Sequence, residues 1–326
     1  MPKPSTMTPL LQVDRLETQF PTGPGLVRAV DGVSFTIARG EVLGLVGESG
    51  CGKSVTALSI MGLVPAPGRV AAGRILLGGE NLLAKDAEAM RRVRGARIAM
   101  VFQEPMTSLN PVFSIGDQIV SAVRAHDGGR RRAAWARAVE MLDRVQVPSP
   151  EERARAYPHQ LSGGLRQRAM IALALAAGPE LLIADEPTTA LDVTIQAQIL
   201  DLLRHLQAER GMAVLMITHD LGVVAEICHR VAVIYAGRIV ELAPVTSIFA
   251  RPLHPYTRGL LRCLPHPSRF GRPLVSIDGA PPDLRQVGQG CRFAPRCSHA
   301  IASCQIHEPG LEEREPGHLV ACPVTS

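Results

Sequence analysis

The chain has 326 residues, of which 46% are hydrophobic and 20% are charged, and its formal net charge is +5. This composition excludes an intrinsically disordered chain, and the length suits one large domain with an additional segment. The longest nearly uninterrupted apolar run, residues 169–178, is about half of the ~20 residues that a membrane-spanning helix needs, so we expect no such helix. The first residues contain no basic segment leading into an apolar one, which predicts a chain without a secretory signal that stays in the cytoplasm.

Alternating apolar residues near the start predict half-buried antiparallel strands within residues 10–37. Short apolar runs follow, which are typical of the fully buried strands of a parallel sheet. These runs are residues 42–46, 98–102, 181–184 and 213–217. Between the second and third runs, Trp135, Val139, Leu142 and Val145 recur at helical spacing. We therefore predict an α/β core with a mostly helical insertion.

A further pair of strands is predicted at residues 231–235 and 238–242, after which the composition changes. Prolines become frequent there, and five of the seven cysteines lie in this last part of the chain, four of them after residue 290. We therefore predict a domain boundary near residue 243. The first domain would be residues 1–243, with its helical part at about 104–178, and a C-terminal extension would be residues 244–326.

A glycine-rich segment follows the first buried strand and fits the phosphate-loop pattern G-x-x-x-x-G-K-[ST]. It lies between a predicted strand and a predicted helix, which is the context that the motif requires. Its glycines let backbone N–H groups converge on phosphates, while Lys53 reaches the β and γ phosphates and Ser54 binds Mg²⁺. The predicted ATP-binding residues of this loop are Gly47, Glu48, Ser49, Gly50, Cys51, Gly52, Lys53 and Ser54.

Two carboxylates, Asp185 and Glu186, directly follow a predicted buried strand. This is the carboxyl edge of the strand, where α/β sheets bind their ligands. Asp185 is predicted to be a Mg²⁺ ligand, and Glu186 is predicted to orient and polarise the attacking water. A solvated acidic turn is the alternative interpretation, and the phosphate loop upstream favours the catalytic one.

Further segments resemble those of ATP-binding-cassette (ABC) proteins, and the resemblance covers about residues 10–245. Residues 161–164, Leu-Ser-Gly-Gly, resemble the signature sequence, Gln103 resembles the Q-loop, and residues 190–192 with His219 resemble the D-loop and the switch histidine. The resemblance implies an α/β fold, a P-loop NTPase cassette with a mixed sheet core, an antiparallel β-subdomain and a helical subdomain, followed by a Pro/Cys-rich C-terminal extension. It also implies ATP hydrolysis by two cassettes that bury two nucleotides between them.

The resemblance assigns roles to several residues. Gln103 would contact Mg²⁺ and take part in catalysis, His219 would contact the γ-phosphate, and Asp192 would belong to the ATP site. A serine and two adjacent glycines ahead of a helix, Ser162, Gly163 and Gly164, form a second phosphate-binding turn that would act on the nucleotide of the partner cassette. Phe20 would stack on adenine, and a core phenylalanine is the alternative.

The C-terminal extension resembles that of bacterial dipeptide and oligopeptide importers at residues 251–261, 290–293 and 296–297. Leu165, where the family often has glutamine, is also apolar in peptide-type importers. The implied function is ATP-driven peptide import, with nickel or glutathione import as the alternative. A soluble cassette ATPase of DNA repair or translation is a more distant alternative, because only about a hundred residues separate the phosphate loop from the signature and the chain has one cassette.

The resemblance also implies partners and a location. The partners would be a second ABC ATPase subunit, either a copy or a paralogue, two transmembrane permease subunits and an extracytoplasmic solute-binding protein, without nucleic acid. The chain would lie peripherally at the cytoplasmic face of the inner membrane. Residues 104–120 are the candidates for permease contact. A basic cluster between Arg124 and Arg137 is interpreted as a solvated face, with lipid headgroups as the alternative.

Four cysteines lie within about thirty residues of the extension, where little apolar sequence is present. Small segments of this kind are often held together by a metal, and four thiolates suit a [4Fe-4S] cluster or tetrahedral zinc. Cys322-Pro323 is similar to the cysteine-proline pair of ferredoxins, and some peptide-importer cassettes hold such a cluster. Iron–sulfur, zinc and unliganded thiols all remain open for Cys291, Cys297, Cys304 and Cys322.

Overall fold

The computed structural model describes residues 9–23, 25–104, 108–189, 191–264 and 276–324. The chain divides into two compact units, unit 1 with Met1–Ile37, Val42–Leu83 and Ile217–Ser326, and unit 2 with Ala38–Glu41 and Ala84–Met216. The strands are β1 (Leu11–Thr22), β2 (Gly25–Ile37), β3 (Val42–Val46), β4 (Arg69–Leu77), β5 (Glu80–Asn81), β6 (Ile98–Val101), β7 (Leu181–Asp185), β8 (Ala213–Thr218), β9 (Arg230–Tyr235), β10 (Arg238–Pro244), β11 (Glu312–Glu315) and β12 (His318–Val320). The α-helices are α1 (Lys53–Met61), α2 (Ala87–Val93), α3 (Ile115–Asp127), α4 (Arg131–Arg144), α5 (Pro150–Arg155), α6 (Gly163–Leu175), α7 (Val193–Arg210), α8 (Leu221–Ile227), α9 (Val245–Ala250), α10 (Pro255–Arg262) and α11 (Ala302–Ile306). Within the described ranges, none of these helices combines the length and apolarity needed to cross a bilayer.

The first two strands of unit 1 belong to an antiparallel sheet with the order β2-β1-β4-β5. Strand β1 pairs with β2 and β4, so that Leu11 lies opposite Ile37 on one side and Leu77 on the other. All three side chains are fully buried. Alternation places Leu11 and Val13 in the core, and an irregularity in the strand pairing after Val13 brings Leu16 into the core as well. The predicted antiparallel β-subdomain is confirmed.

A second set of strands in unit 1 has the order β11-β12-β10-β9-β3. Strands β3 and β9 are parallel, with Val46 opposite Val233, whereas the other neighbours are antiparallel. All five residues of β3 are buried, which is expected of a strand covered on both faces. The loop that follows β3 therefore begins from a fixed point in the core of unit 1.

Strand β10 also holds the C-terminal part of the chain. Glu241 of β10 is fully buried, and its carboxylate accepts hydrogen bonds from the backbone N–H groups of Leu253 (2.7 Å) and His254 (3.0 Å). The Nε2 atom of His318 lies 2.7 Å from the same carboxylate, and Val320 of β12 lies opposite Glu241. Because a buried carboxylate needs such partners, these contacts hold Leu253, His254 and β12 on β10.

Unit 2 contains strands in the order β8-β7-β6 and a group of helices. Strands β6 and β7 are parallel, with Ile98 opposite Leu181, and both strands are fully buried. Helices α3 to α6 follow β6 in the segment where the helical insertion was expected. Helix α4 is present where the spacing around Trp135 predicts a helix, but Trp135 is only half-buried. The buried residues of α4 are Ala134, Ala138, Met141 and Leu142.

Candidate functional site

The phosphate loop runs from the end of β3 at Val46 to the start of α1 at Lys53. A Cβ atom added to Gly47 would lie 2.1 Å from the carbonyl oxygen of Ile234, and one added to Gly52 would lie 2.3 Å from that of Ala29. Gly52 also has a positive φ of 106°, which only glycine adopts readily. Both positions therefore require glycine, and these close contacts fix the path of the loop between β3 and α1.

Lys53 is buried at the end of this loop. Its Nζ atom donates hydrogen bonds to the carbonyl oxygens of Gly47 (2.8 Å) and Glu48 (3.0 Å). Helix α1 has no acidic residue in its first turn, so nothing there cancels the positive end of the helix dipole. An ammonium group and a helix N-terminus thus converge on one loop, which is the arrangement that binds nucleotide phosphates.

Two residues outside the motif contact the same loop. The Tyr256 hydroxyl accepts a hydrogen bond from the backbone N–H of Glu48 (2.9 Å). The Arg296 guanidinium donates to both carboxylate oxygens of Glu48, at 2.7 and 3.0 Å. No local sequence signal predicts these contacts, because the residues lie 208 and 248 positions away from Glu48.

In unit 2, the structure brings Gln103 and Glu186 together. Asp185 is the buried last residue of β7, and Glu186 follows it with a positive φ of 47°. Positive φ is uncommon for a non-glycine residue and is concentrated at functional sites. The Glu186 carboxylate oxygen Oε2 accepts hydrogen bonds from Gln103 Nε2 (3.2 Å) and from Thr189 Oγ1 (2.9 Å). The predicted catalytic carboxylate is therefore held in one orientation by an amide and a hydroxyl.

The signature residues form the start of α6, also in unit 2. Ser162 caps this helix, and its hydroxyl accepts a hydrogen bond from the backbone N–H of Leu165 (3.4 Å). Ser162 and Gly163 are exposed, and a Cβ atom added to Gly163 would have nothing within 4 Å. One added to Gly164 would lie 3.0 Å from Cγ2 of Ile195. The helix start that was predicted to bind phosphate is thus open to solvent within this chain.

The D-loop aspartate, Asp192, caps α7 by accepting a hydrogen bond from the backbone N–H of Ile195 (2.9 Å). Ala190 of the same loop lies outside the described residues. His219 belongs to unit 1, where it is exposed between β8 and Asp220. Asp220 caps α8 through the backbone N–H of Gly222 (2.7 Å), so the histidine precedes a fixed helix start.

Phe20 is a half-buried residue of β1. A Cβ atom added to Gly68 would lie 2.3 Å from a ring carbon of Phe20, so this glycine and the ring are in close contact. The contact corresponds to the packing interpretation of Phe20, and its role in adenine stacking stays a prediction. Phe20, the phosphate loop and His219 belong to unit 1, whereas Gln103, Asp185, Glu186, the signature and Asp192 belong to unit 2.

The four C-terminal cysteines do not form a metal site. Among the residues that the structure describes, no three His, Cys, Asp or Glu side chains are grouped so that they could hold a metal ion. Burial raises the pKa of Cys291 to about 11 and also raises that of Cys322, so both thiols are protonated in the metal-free chain. Cys322 instead packs in an apolar cluster with Leu253, Val320 and Val324. The structure therefore does not support the predicted [4Fe-4S] cluster or its zinc alternative at Cys291, Cys297, Cys304 and Cys322.

A buried strand that leads into a phosphate loop, together with a second buried strand that ends in Asp185 and Glu186, defines a P-loop nucleotide-binding protein. Residues 30–189 match the family model described as "ABC transporter", and residues 240–304 match "Oligopeptide/dipeptide transporter, C-terminal region". The probable peptide ABC transporter ATP-binding protein y4tR of Sinorhizobium fredii is 56% identical over 96% of this chain and 94% of its own length.

Two further relatives are dipeptide transport ATP-binding proteins, both named DppD. That of Bacillus subtilis is 49% identical and covers 97% of this chain and 95% of its own length, and that of Escherichia coli is 47% identical and covers 96% of each. The dimeric structure of the ATP-binding cassette MJ0796 bound to ADP and phosphate matches with a TM-score of 0.66 and 26% identity, over 72% of this chain and 98% of that chain. This chain belongs to the ABC transporter family, as one of its ATP-binding subunits. The predicted cassette fold, family and ATPase activity are confirmed.

Proposed function

We propose that this chain hydrolyses ATP to power the import of dipeptides or oligopeptides through separate permease subunits. The observation that carries the proposal is the phosphate loop with its buried Lys53, in a chain that matches DppD proteins over nearly its whole length. The match of residues 240–304 favours peptide import over a cassette ATPase of DNA repair or translation. Nickel or glutathione import remains an outcome of the test. Reconstituted with its permease, the chain should show ATP-dependent uptake of labelled dipeptide, and uptake of nickel or glutathione alone would contradict the peptide assignment.

We also propose a role for each of the candidate residues of the ATP site. Lys53 and the loop N–H groups bind the β and γ phosphates, Phe20 contacts adenine, and His219 contacts the γ-phosphate. Glu186 orients the attacking water and accepts its proton, and the hydrogen bonds from Gln103 and Thr189 hold its carboxylate for this task.

Magnesium is the metal that this chemistry requires, and it neutralises the charge that develops on the phosphates. Ser54, Gln103 and Asp185 would hold it. They offer a hydroxyl, an amide oxygen and a carboxylate, and these are the hard oxygen donors that Mg²⁺ prefers alongside phosphate and water. A complete cage of protein ligands is not needed, because Mg²⁺ is usually bound by one or two carboxylates plus substrate phosphates.

Turnover is proposed to require two cassettes. Ser162 and Gly163 are exposed at the start of α6, and that start carries no acidic residue in its first turn. It therefore offers N–H groups and a positive helix end to an anion outside this chain. We propose that Ser162, Gly163, Gly164 and Asp192 act on the ATP held by the second cassette, which is a copy or a paralogue.

The variant Gly163→Asp tests this arrangement. A Cβ atom at this position meets nothing within 4 Å, and an acidic residue is well tolerated in the first turn of a helix. The isolated variant should therefore fold and bind ATP like the wild type. The assembled transporter should lose ATPase activity by about tenfold or more, because the new carboxylate repels the γ-phosphate of the partner's nucleotide. Gly163→Ala is the matched control and should keep most of the activity. Normal ATPase activity of Gly163→Asp in the assembly would contradict the two-cassette site.

The permease is proposed to contact residues 104–120. Two large hydrophobic side chains are exposed there, Val112 at 71% and Phe113 at 53%. Exposed apolar side chains of this size are typical of protein contacts. Pro105, Met106 and Thr107, in the same segment, lie outside the described residues.

The basic cluster keeps its interpretation as a solvated face, since Arg131 pairs with Asp117 and Arg137 with Glu140 at the surface. We further propose the location at the cytoplasmic face of the inner membrane, a partnership with a solute-binding protein, and the division into domains of residues 1–243 and 244–326. Support for these proposals is the membership of the ABC transporter family and the separate family match from residue 240.

A further inference from the structure

We propose that Arg296 and Tyr256 of the C-terminal region are positioning residues for the phosphate loop, which they hold through Glu48. The effect of this contact on ATP binding rests on the function proposed above. The contact itself is a feature of unit 1 alone and can be tested in nucleotide-free protein. In this arrangement the extension that follows the cassette sets the geometry of the ATP site.

Glu48 is held at three points. Its carboxylate receives two hydrogen bonds from the Arg296 guanidinium, and its backbone N–H donates to the Tyr256 hydroxyl. Its carbonyl oxygen accepts a hydrogen bond from Lys53 Nζ at 3.0 Å. Glu48 therefore contacts both Lys53 and the C-terminal region. A shift of Arg296 or Tyr256 would move the Glu48 carbonyl oxygen, which accepts a hydrogen bond from the Lys53 ammonium group.

The side chain of Arg296 is held in one position by burial and by its hydrogen bonds. Its side chain is 4% exposed, and besides the two bonds to Glu48 it donates to the carbonyl oxygens of Asp278 (2.9 Å) and Ile277 (3.3 Å) and to the Tyr235 hydroxyl (3.3 Å). Its guanidinium carbon lies 5.8 Å from the centre of the Tyr235 ring. Five hydrogen bonds match the five N–H donors of a guanidinium, an arrangement that lysine cannot reproduce.

Tyr256 is anchored equally well. It is fully buried, and its ring centre lies 4.6 Å from that of Tyr235 and 5.4 Å from that of Phe293. Its backbone N–H donates to Nδ1 of His254, which is held by the buried carboxylate of Glu241 on β10. The hydrogen bond from Glu48 to Tyr256 is thus connected to the sheet from which the phosphate loop starts, because β10, β9 and β3 are neighbouring strands.

The physical consequence is pre-organisation. Fixing the backbone of a residue costs conformational entropy. A phosphate loop that is already ordered before ATP arrives therefore loses less conformational entropy when ATP binds. The C-terminal region therefore raises the ATP affinity of the cassette without touching the nucleotide.

The experiment compares wild type, Arg296→Gln and a matched control in the full-length chain. Hydrogen exchange of residues 47–54 is measured without nucleotide, and ATP affinity is measured by calorimetry. Arg296→Gln should speed exchange in the loop and weaken ATP binding by about tenfold, since charge-assisted bonds to Glu48 are lost. The control is Arg292→Gln. Arg292 is also a buried arginine of the C-terminal region, at 6% exposure, but it pairs with Asp31 and Glu308 and donates to the carbonyl oxygen of Ala236 instead of to Glu48. The variant Arg292→Gln should leave both the hydrogen exchange of residues 47–54 and the ATP affinity near their wild-type values.

Two milder variants keep the test decisive if Arg296→Gln fails to fold. Tyr256→Phe keeps the buried ring and removes only the acceptor of the Glu48 N–H, so exchange in the loop should rise and ATP affinity should fall by a few-fold. Arg296→Lys keeps the charge and should recover part of the affinity lost in Arg296→Gln. Equal effects of Arg292→Gln and Arg296→Gln, or unchanged exchange in both Arg296→Gln and Tyr256→Phe, would overturn the proposal. If wild-type protein did not bind ATP, the proposed function would fail, whereas the exchange data would still decide the positioning role.

Discussion

Glu186→Gln is expected to lower steady-state ATP hydrolysis by the assembled transporter by about 100- to 10,000-fold, the range over which a positioned general base acts. The amide keeps the shape of the side chain and can still accept the hydrogen bonds from Gln103 and Thr189. It cannot take the proton of the attacking water. ATP binding should therefore remain, and cassettes paired around unhydrolysed ATP should accumulate. The measurement is ATPase activity beside nucleotide occupancy of the purified assembly.

The control for this variant lies at the other end of the same strand. Glu180 precedes β7 and pairs with Arg39 and Arg97, whereas Glu186 follows β7. Glu180→Gln makes the same chemical change away from the predicted catalytic residues, and hydrolysis should stay near the wild-type rate. Near-normal hydrolysis in Glu186→Gln would show that another residue activates the water.

Lys53→Ala is expected to act one step earlier, on nucleotide binding. The ammonium group is buried at the end of the phosphate loop, and it is the principal cation that the loop offers to the β and γ phosphates. Each hydrogen bond from a charged group contributes about 1.5–3 kcal/mol, so the loss of two such bonds should weaken ATP binding by about 100-fold or more. The affinity of the isolated chain for Mg-ATP, measured by calorimetry, checks this.

The chain provides a suitable control for Lys53→Ala. The sequence has few lysines, and Lys85 is the other lysine among the described residues. Lys85→Ala removes an equal charge from outside the phosphate loop and should leave ATP affinity unchanged. Unaltered affinity in Lys53→Ala would refute the assignment of residues 47–54 as the phosphate site. Together, the two variants separate ATP binding from ATP hydrolysis. Lys53→Ala should impair binding and therefore hydrolysis, whereas Glu186→Gln should impair hydrolysis alone.

The cassette fold, the family and the candidate residues of the ATP site could all be predicted from the amino-acid sequence. The reason is that each of these signals is local. A phosphate loop needs a buried strand before it and a helix after it, and residues 42–61 contain all three parts in order. The carboxylates of Asp185 and Glu186 end a strand of uninterrupted apolar residues, and Ser162 stands at a helix start. Spacing over a few residues is enough to recognise each of these arrangements.

Contacts between residues far apart in the chain could not be predicted from the sequence and are seen only in the folded structure. Gln103 and Glu186 are 83 positions apart, and Glu48 and Arg296 are 248 apart, so no local spacing encodes either contact. The cysteines show the converse. Their closeness in sequence predicts a metal site, but among the described residues the fold groups no three His, Cys, Asp or Glu side chains as ligands of a metal ion. Proximity along the chain places side chains in one region, whereas their ionisation and contacts depend on what the rest of the fold packs around them.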